Sequence, residues 1–247
     1  VFGAAWAYIP AYLQAKRGSH VVITTIMFNF IASSLMVFLL VDVIRDFKQM
    51  GPHTVALPKE LWFPTFKELA NLFGLKIRYS PLNLSFLIAI AASFFVWFLI
   101  WKTKWGYEMR AVGHNTKAAI YAGISPHKNI IIAMLISGGL AGMLGINEIL
   151  GVHHKIVAGF PAGYGFTGIA VALMGRNHPI GIFPAAFLFG ILYQGGSEVT
   201  FDMPNITRYM FVAVQGVIIL FSGALENLFR PQIESFFVNR INKEEMA

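Results

Sequence analysis

Two stretches of this chain contain no charged residue, Val21–Val41 and Leu82–Trp101. Each has the roughly 20 apolar residues that a helix needs to cross the hydrocarbon core of a bilayer. Only 13% of the 247 residues are charged and 56% are hydrophobic, against about 25% charged in a typical soluble domain. A soluble fold would lack the charges to cover its surface, whereas lipid makes an apolar exterior favourable. The sequence therefore predicts an all-α, polytopic transmembrane helix bundle, and 23 glycines suit closely packed membrane helices.

The formal charge is +7. In a membrane protein, basic residues flank spans and meet anionic headgroups, so the bilayer is the expected partner and nucleic acid is not. Cysteine is absent, which removes disulfides, thiolate metal sites and a cysteine nucleophile. Val1–Leu13 reads as the tail of a span, with no basic leader ahead of it, and Gln14–Ser19 as a turn. Asp42–Pro81 is a long polar segment with four prolines, and Thr65–Phe73 within it suits a short amphipathic interfacial helix. Further spans are expected over Asn129–Leu150, Ile180–Gln194 and Ile206–Phe221, followed by a charged tail after Gly223. Phe166–Met174 is too short to cross unaided. If it completes a crossing, Lys16, Arg17, Lys102–Lys128, Arg176 and the tail share one face, which the bias of basic residues assigns to the cytoplasm.

Gly159, Pro161, Gly163, Gly165 and Gly168 crowd the entrance to that short segment. Irregular backbone at membrane depth needs protein or a wet cavity to satisfy it, and broken helices of this kind line transport paths. A plain outer loop leading into a tilted helix is the competing reading. Asn29 sits in mid-span, where its amide needs a partner; a bond across helices and a substrate contact are both open. Glu148 is the acid of the glycine-rich span, near its outer end, and an intramembrane carboxylate is a functional candidate by default. Phe160 and Phe166 can stack on a sugar or a nucleobase, or anchor in lipid. With Gly163, Gly165 and Thr167, these residues are the candidate translocation path. Ser137, Ala141 and Gly145, with Gly138 and Gly142 beside them, form a small-residue face for helix packing.

There is no phosphate-binding loop, no His-Glu-x-x-His and no Gly-x-Ser-x-Gly. Nor is there a pair of carboxylates or histidines at helical spacing inside a span, so an intramembrane enzyme is disfavoured. Adjacent His153 and His154 would point about 100° apart on a helix, which argues against a metal site. Val21–Val41 and Leu82–Trp101 also lack the buried charges expected of an ion-driven secondary transporter of a small polar solute, the alternative reading.

Lys102–Lys128 has the pattern of two short helices broken near Gly113. Asn115 can cap the second, Gly123 can end it, and Pro126 can start the next span. Small exposed residues suit a hairpin that docks into a partner's groove; by composition alone, a connector is the plainer reading.

The segment Gly106–Ile124 resembles the cytoplasmic coupling loop of permeases in the importer family for branched-chain amino acids, simple sugars and nucleosides. That pattern, Gly…Arg-Ala-x-Gly-x-Asn-x-x-Ala-Ala-x-x-x-Gly-Ile, is met by Gly106, Arg110, Ala111, Gly113, Asn115, Ala118, Ala119, Gly123 and Ile124. Trp6–Gly18 with Thr25–Ile31, and Gly163–Pro179, are similar to the sugar and nucleoside branch, although His20 stands where that branch often has Glu. The resemblance implies the C-terminal portion of a longer permease, with residues 1–247 one transmembrane permease domain of the cell (inner) membrane and 102–128 its coupling loop. It further implies ATP-binding-cassette ATPase subunits, a second permease subunit and an extracytoplasmic substrate-binding protein as partners. ATP and Mg would sit on the partners, with no cofactor or catalytic residue in this chain, and alternating access would move a nucleoside or simple sugar.

Overall fold

The computed structural model describes residues 1–45, 51–67, 82–160, 163–203, 210–218 and 220–221. It divides into two compact units, Val1–Ala162 and Gly163–Ala247. Helices dominate both, and four of them, Val21–Val43, Ser85–Lys102, Pro126–His153 and Pro179–Asp202, are long and apolar enough to cross a membrane among the described residues.

The first unit begins with α1 (Phe2–Arg17). It runs through the expected turn as far as Arg17, because Gly18 supplies the left-handed stop. At φ 66° its N–H reaches the Gln14 carbonyl, and the Ser19 N–H reaches Leu13. Lys16 and Arg17 then lie in the last turn, where cations favour the helix dipole. α2 (Val21–Phe38) continues as a π-helical turn to Val43 and packs against α1 through an edge-to-face contact of Trp6 and Phe28, 6.1 Å between centroids. α3 (Ser85–Lys102), α4 (Lys104–His114), α5 (Thr116–Tyr121) and α6 (Pro126–Ile146) follow. α6 continues as a π-helical turn over Asn147–His153.

A close backbone approach joins α1 to α6. A Cβ on Gly3 would overlap the Gly138 carbonyl, and one on Gly142 would lie 3.7 Å from the Gly3 Cα. Gly138 also faces the Ala7 methyl. Gly3, Ala7, Ala11 and Ala15 recur every fourth residue, and Ala11 and Ala15 are buried. Lipid tails are as apolar as leucine, so helices in a membrane gain by close backbone contact rather than by apolar burial. The packing face on α6 is therefore Gly138 and Gly142. Ser137 and Ala141 are exposed and Gly145 faces open space, which corrects the expected face of Ser137, Ala141 and Gly145. Gly3 meets Gly142 while Ala7 meets Gly138, so the two helices run antiparallel and Arg17 ends where α6 begins.

The long polar segment is not a free loop. Thr54 N–H donates to the Ile156 carbonyl (3.1 Å), Leu57 to His154 (2.8 Å) and Phe63 to Leu150 (3.1 Å). Trp62 stacks on the His154 ring at 3.8 Å and 8°. The turn after α6 is thus stitched to residues 52–63. Of the helix expected over Thr65–Phe73, Phe66 and Lys67 are helical and the remainder lies outside the described residues.

In the second unit, α7 (Tyr164–Met174) spans 11 residues, as short as the sequence predicts. A turn with Arg176 and Asn177 at positive φ leads into α8 (Pro179–Asp202), which contains Pro184 and is longer than expected. Residues 210–218 are helical; 206–209 and the tail beyond 221 lie outside the described residues.

Replacing Gly138 with Leu forces α1 and α6 apart. Overpacking of this kind costs about 1–3 kcal/mol, so the melting temperature in detergent should fall by several degrees. Gly145→Leu, facing open space, should leave it within a degree or two.

Candidate functional site

Two places gather side chains with something to do, at opposite ends of α3 and α6. The first is the hairpin α4–α5. Thr103 alone connects α3 to α4: its hydroxyl donates to the Leu99 carbonyl (2.6 Å) and accepts from Gly106 N–H (3.2 Å). Gly106 is buried against the carbonyls of Leu99 and Ile100, where any Cβ would collide with backbone. The break between the helices falls at Asn115, two residues beyond Gly113, which stays helical. Asn115 is extended (φ −155°, ψ 105°), and its Oδ1 accepts from Ala118 N–H at 3.1 Å. The polar side chain offers the first turn of α5 an acceptor that Gly113 lacks, so the cap decides the bend. Gly123, at φ 78°, ends the hairpin, and Ile124 N–H closes on the Ala119 carbonyl at 2.9 Å. Pro126 opens α6 as expected.

The hairpin is fastened to α6 by Asn129. Its buried amide donates to the Ser125 carbonyl (3.0 Å) and to Glu108 Oε2 (3.4 Å). The nine motif residues separate into two sets. Gly106 and Ala119 are buried and Ala111 and Ile124 half-buried, holding the hairpin together; Arg110, Gly113, Asn115, Ala118 and Gly123 are exposed. Tyr107 and Tyr121 project beside them.

The second place is the opposite end of α3 and α6. Asn83, ahead of α3, and Asn147, after α6, come together although 64 positions apart, with Asn83 Nδ2 3.5 Å from Asn147 Oδ1. The Ser85 hydroxyl lies between Asn83 Oδ1 and Asn147 Oδ1. Asn147 Nδ2 donates to Glu148 Oε1 at 3.2 Å, and Glu148 Oε2 faces His153 Nε2 at 3.6 Å. Glu148 is buried, so the expected intramembrane acid has polar partners at hand. Gly151 lies beneath this cluster, where a Cβ would strike the Asn83 amide. A cleft of about 640 Å³ descends from it between α3 and α6.

Sequence reasoning anticipated Glu148 and missed Asn83, Ser85 and Asn147. Their signal was two amides at the ends of otherwise apolar spans. Asn29 is exposed on α2 and makes no cross-helix bond among the described residues. Phe160 is half-buried near the end of the first unit. Gly163, Gly165, Phe166 and Thr167 begin α7 in the second unit, exposed, with the Thr167 hydroxyl donating to the Gly163 carbonyl at 3.4 Å. Among the described residues no three His, Asp or Glu side chains are grouped for a metal ion.

Apolar spans joined on one side by a compact helical hairpin and on the other by a stitched loop define a multi-pass membrane protein. The chain belongs to the family described as branched-chain amino acid transport system / permease component, whose model matches residues 1–223. It is a protein of the cell membrane. It is 36% identical to the guanosine ABC transporter permease protein NupP of Bacillus subtilis, over 89% of this chain and 61% of that one. It is 34% identical to the glucose ABC transporter permease protein TsgB13 of Haloferax volcanii, over 98% and 63%. The nucleoside ABC transporter permease protein NupB of Lactococcus lactis is 35% identical, over 87% and 59%. The chain thus spans about three fifths of the length of these relatives. No solved structure matches it.

Loss of the Asn115 cap should cost about 1 kcal/mol. In Asn115→Ala, amide hydrogen exchange over residues 118–121 should quicken about fivefold, with α6 amides unchanged.

Proposed function

We propose that this chain forms part of the translocation channel of an ATP-driven importer and moves a nucleoside or a simple sugar by alternating access. The hairpin α4–α5 carries the reading. It presents Arg110, Gly113 and Ala118 outward while Gly106 and Ala119 are buried. It projects from the end of α6 at which Lys16 and Arg17 also lie, the pairing expected of a cytoplasmic face. Residues 102–128 then act as the coupling loop. An ATP-binding-cassette ATPase grips the exposed small residues and passes its closure to α6 through the Glu108–Asn129 contact. ATP and Mg belong to that partner, and this chain hydrolyses nothing.

The names of the relatives support the substrate class, being permeases for guanosine, nucleosides and glucose. On the same reading, a second permease subunit completes the channel and an extracytoplasmic binding protein delivers the solute. Such a cycle requires the solute site to differ in affinity between its two faces, since only differential binding shifts a two-state equilibrium. An ion-driven mechanism finds little to work with, because no charged residue lies within Val21–Val41 or Leu82–Trp101.

Gly113 faces open space and Ala118 is exposed, so a bulky side chain at either leaves the fold intact. Gly113→Trp and Ala118→Trp should each lower ATP-dependent uptake at least tenfold, with the melting temperature unchanged and the ATPase subunit lost on co-purification. Ala119→Trp should instead fail to fold. Normal uptake in both exposed-site variants would remove the docking assignment. The chain has no cysteine, so a single Ala118→Cys reports its own side of the membrane, and labelling from outside the cell would remove the assignment too.

A further inference from the structure

We infer that the cleft between α3 and α6 is an outer binding subsite for an uncharged nucleoside, with the ribose on its polar rim and the base against its apolar wall. This rests on the importer reading and narrows it. The rim is Asn83, Ser85 and Asn147; the wall below includes Phe86, Ala92, Met143 and Leu144. From Ser85 to Ala92 the wall descends about 10 Å along α3. At about 640 Å³ the cleft is within the range of small-molecule sites.

The rim keeps hydrogen-bonding capacity in reserve. Each carboxamide has two N–H donors. Asn83 Nδ2 gives one to Asn147, and Asn147 Nδ2 gives one to Glu148. The second N–H of each has no partner among the described residues. One Ser85 proton is shared between two amide oxygens, so an acceptor is also left for a ligand hydroxyl. Neighbouring hydroxyls on one ring fit this alternation of donors and acceptors.

The same chemistry discriminates. Among the described residues no Lys or Arg lines the cleft, and the buried Glu148 carboxyl group is hydrogen-bonded to the rim. A phosphate, on a nucleotide or a lipid headgroup, would find no Lys or Arg among those lining residues to offset its charge. A hexose carries hydroxyls all round, and those facing Met143 and Leu144 would lose water without gaining a partner. A nucleoside divides into a hydroxylated half and a flat base whose faces pack on Phe86 and on the Met143 thioether.

The test uses the full transporter purified with its partner subunits and irradiated with azidoadenosine. Label is expected on peptides covering residues 82–92 and 140–152, competed by adenosine and not by glucose. Asn147→Ala, which thins the rim, and Ala92→Phe, which fills the wall, should each weaken labelling and raise the KM for nucleoside uptake about tenfold. No label, label confined to other segments, equal competition by glucose, or a cleft occupied by co-purified phospholipid would each overturn the subsite. ATP-dependent uptake in the same preparation keeps the two readings apart. Its absence with the cleft labelled overturns the importer, and its presence with the label elsewhere overturns the subsite alone.

Discussion

The first unit depends on one contact without side chains, the approach of α1 to α6 where Gly3 meets Gly138 and Gly142. In water, two helices are driven together by apolar burial. In lipid that drive vanishes, and close packing of backbones replaces it. Glycine is needed there for space rather than for unusual dihedral angles. The contact fixes α6, and α6 carries everything else of interest. Its 21 residues reach about 31 Å. Asn129 at one end holds the hairpin through Glu108, and Asn147 beyond the other holds the rim of the cleft. Hairpin and cleft are thus at two ends of one helix.

The motif residues of the hairpin fall into two structural groups. Gly106 is dictated by the carbonyls of Leu99 and Ile100, and Ala119 by the lack of room beneath α5. Asn115 and Gly123 fix where α5 starts and stops. Arg110, Gly113 and Ala118 do none of this, since they are exposed. The fold does not require their identity, and that leaves them open to the docking role proposed above.

At the other end of α6, buried polar groups are costly without partners, and there they bond to one another. Asn83, Ser85, Asn147, Glu148 and His153 form a connected run. Residues 52–63 close over the turn that bears it, with Trp62 stacked on His154. That stitching orders the turn that bears the rim.

The sequence by itself determined what is local. The apolar spans follow from charge-free runs and bilayer thickness, and the short α7 follows from its length. The capped hairpin follows from Asn115, Gly123 and Pro126, because caps and helix periods are read over a few residues. The break near Gly113 falls at the Asn115 cap itself, since glycine is tolerated inside a helix when a stronger cap stands two residues on. Tertiary structure alone decided which small residues touch, which motif residues face outward and which amides meet. In a membrane helix the apolar residues surround the whole circumference, so no period marks the buried side. Asn83 and Asn147 are joined only when two spans fold back on each other, and no pattern in either segment encodes that meeting.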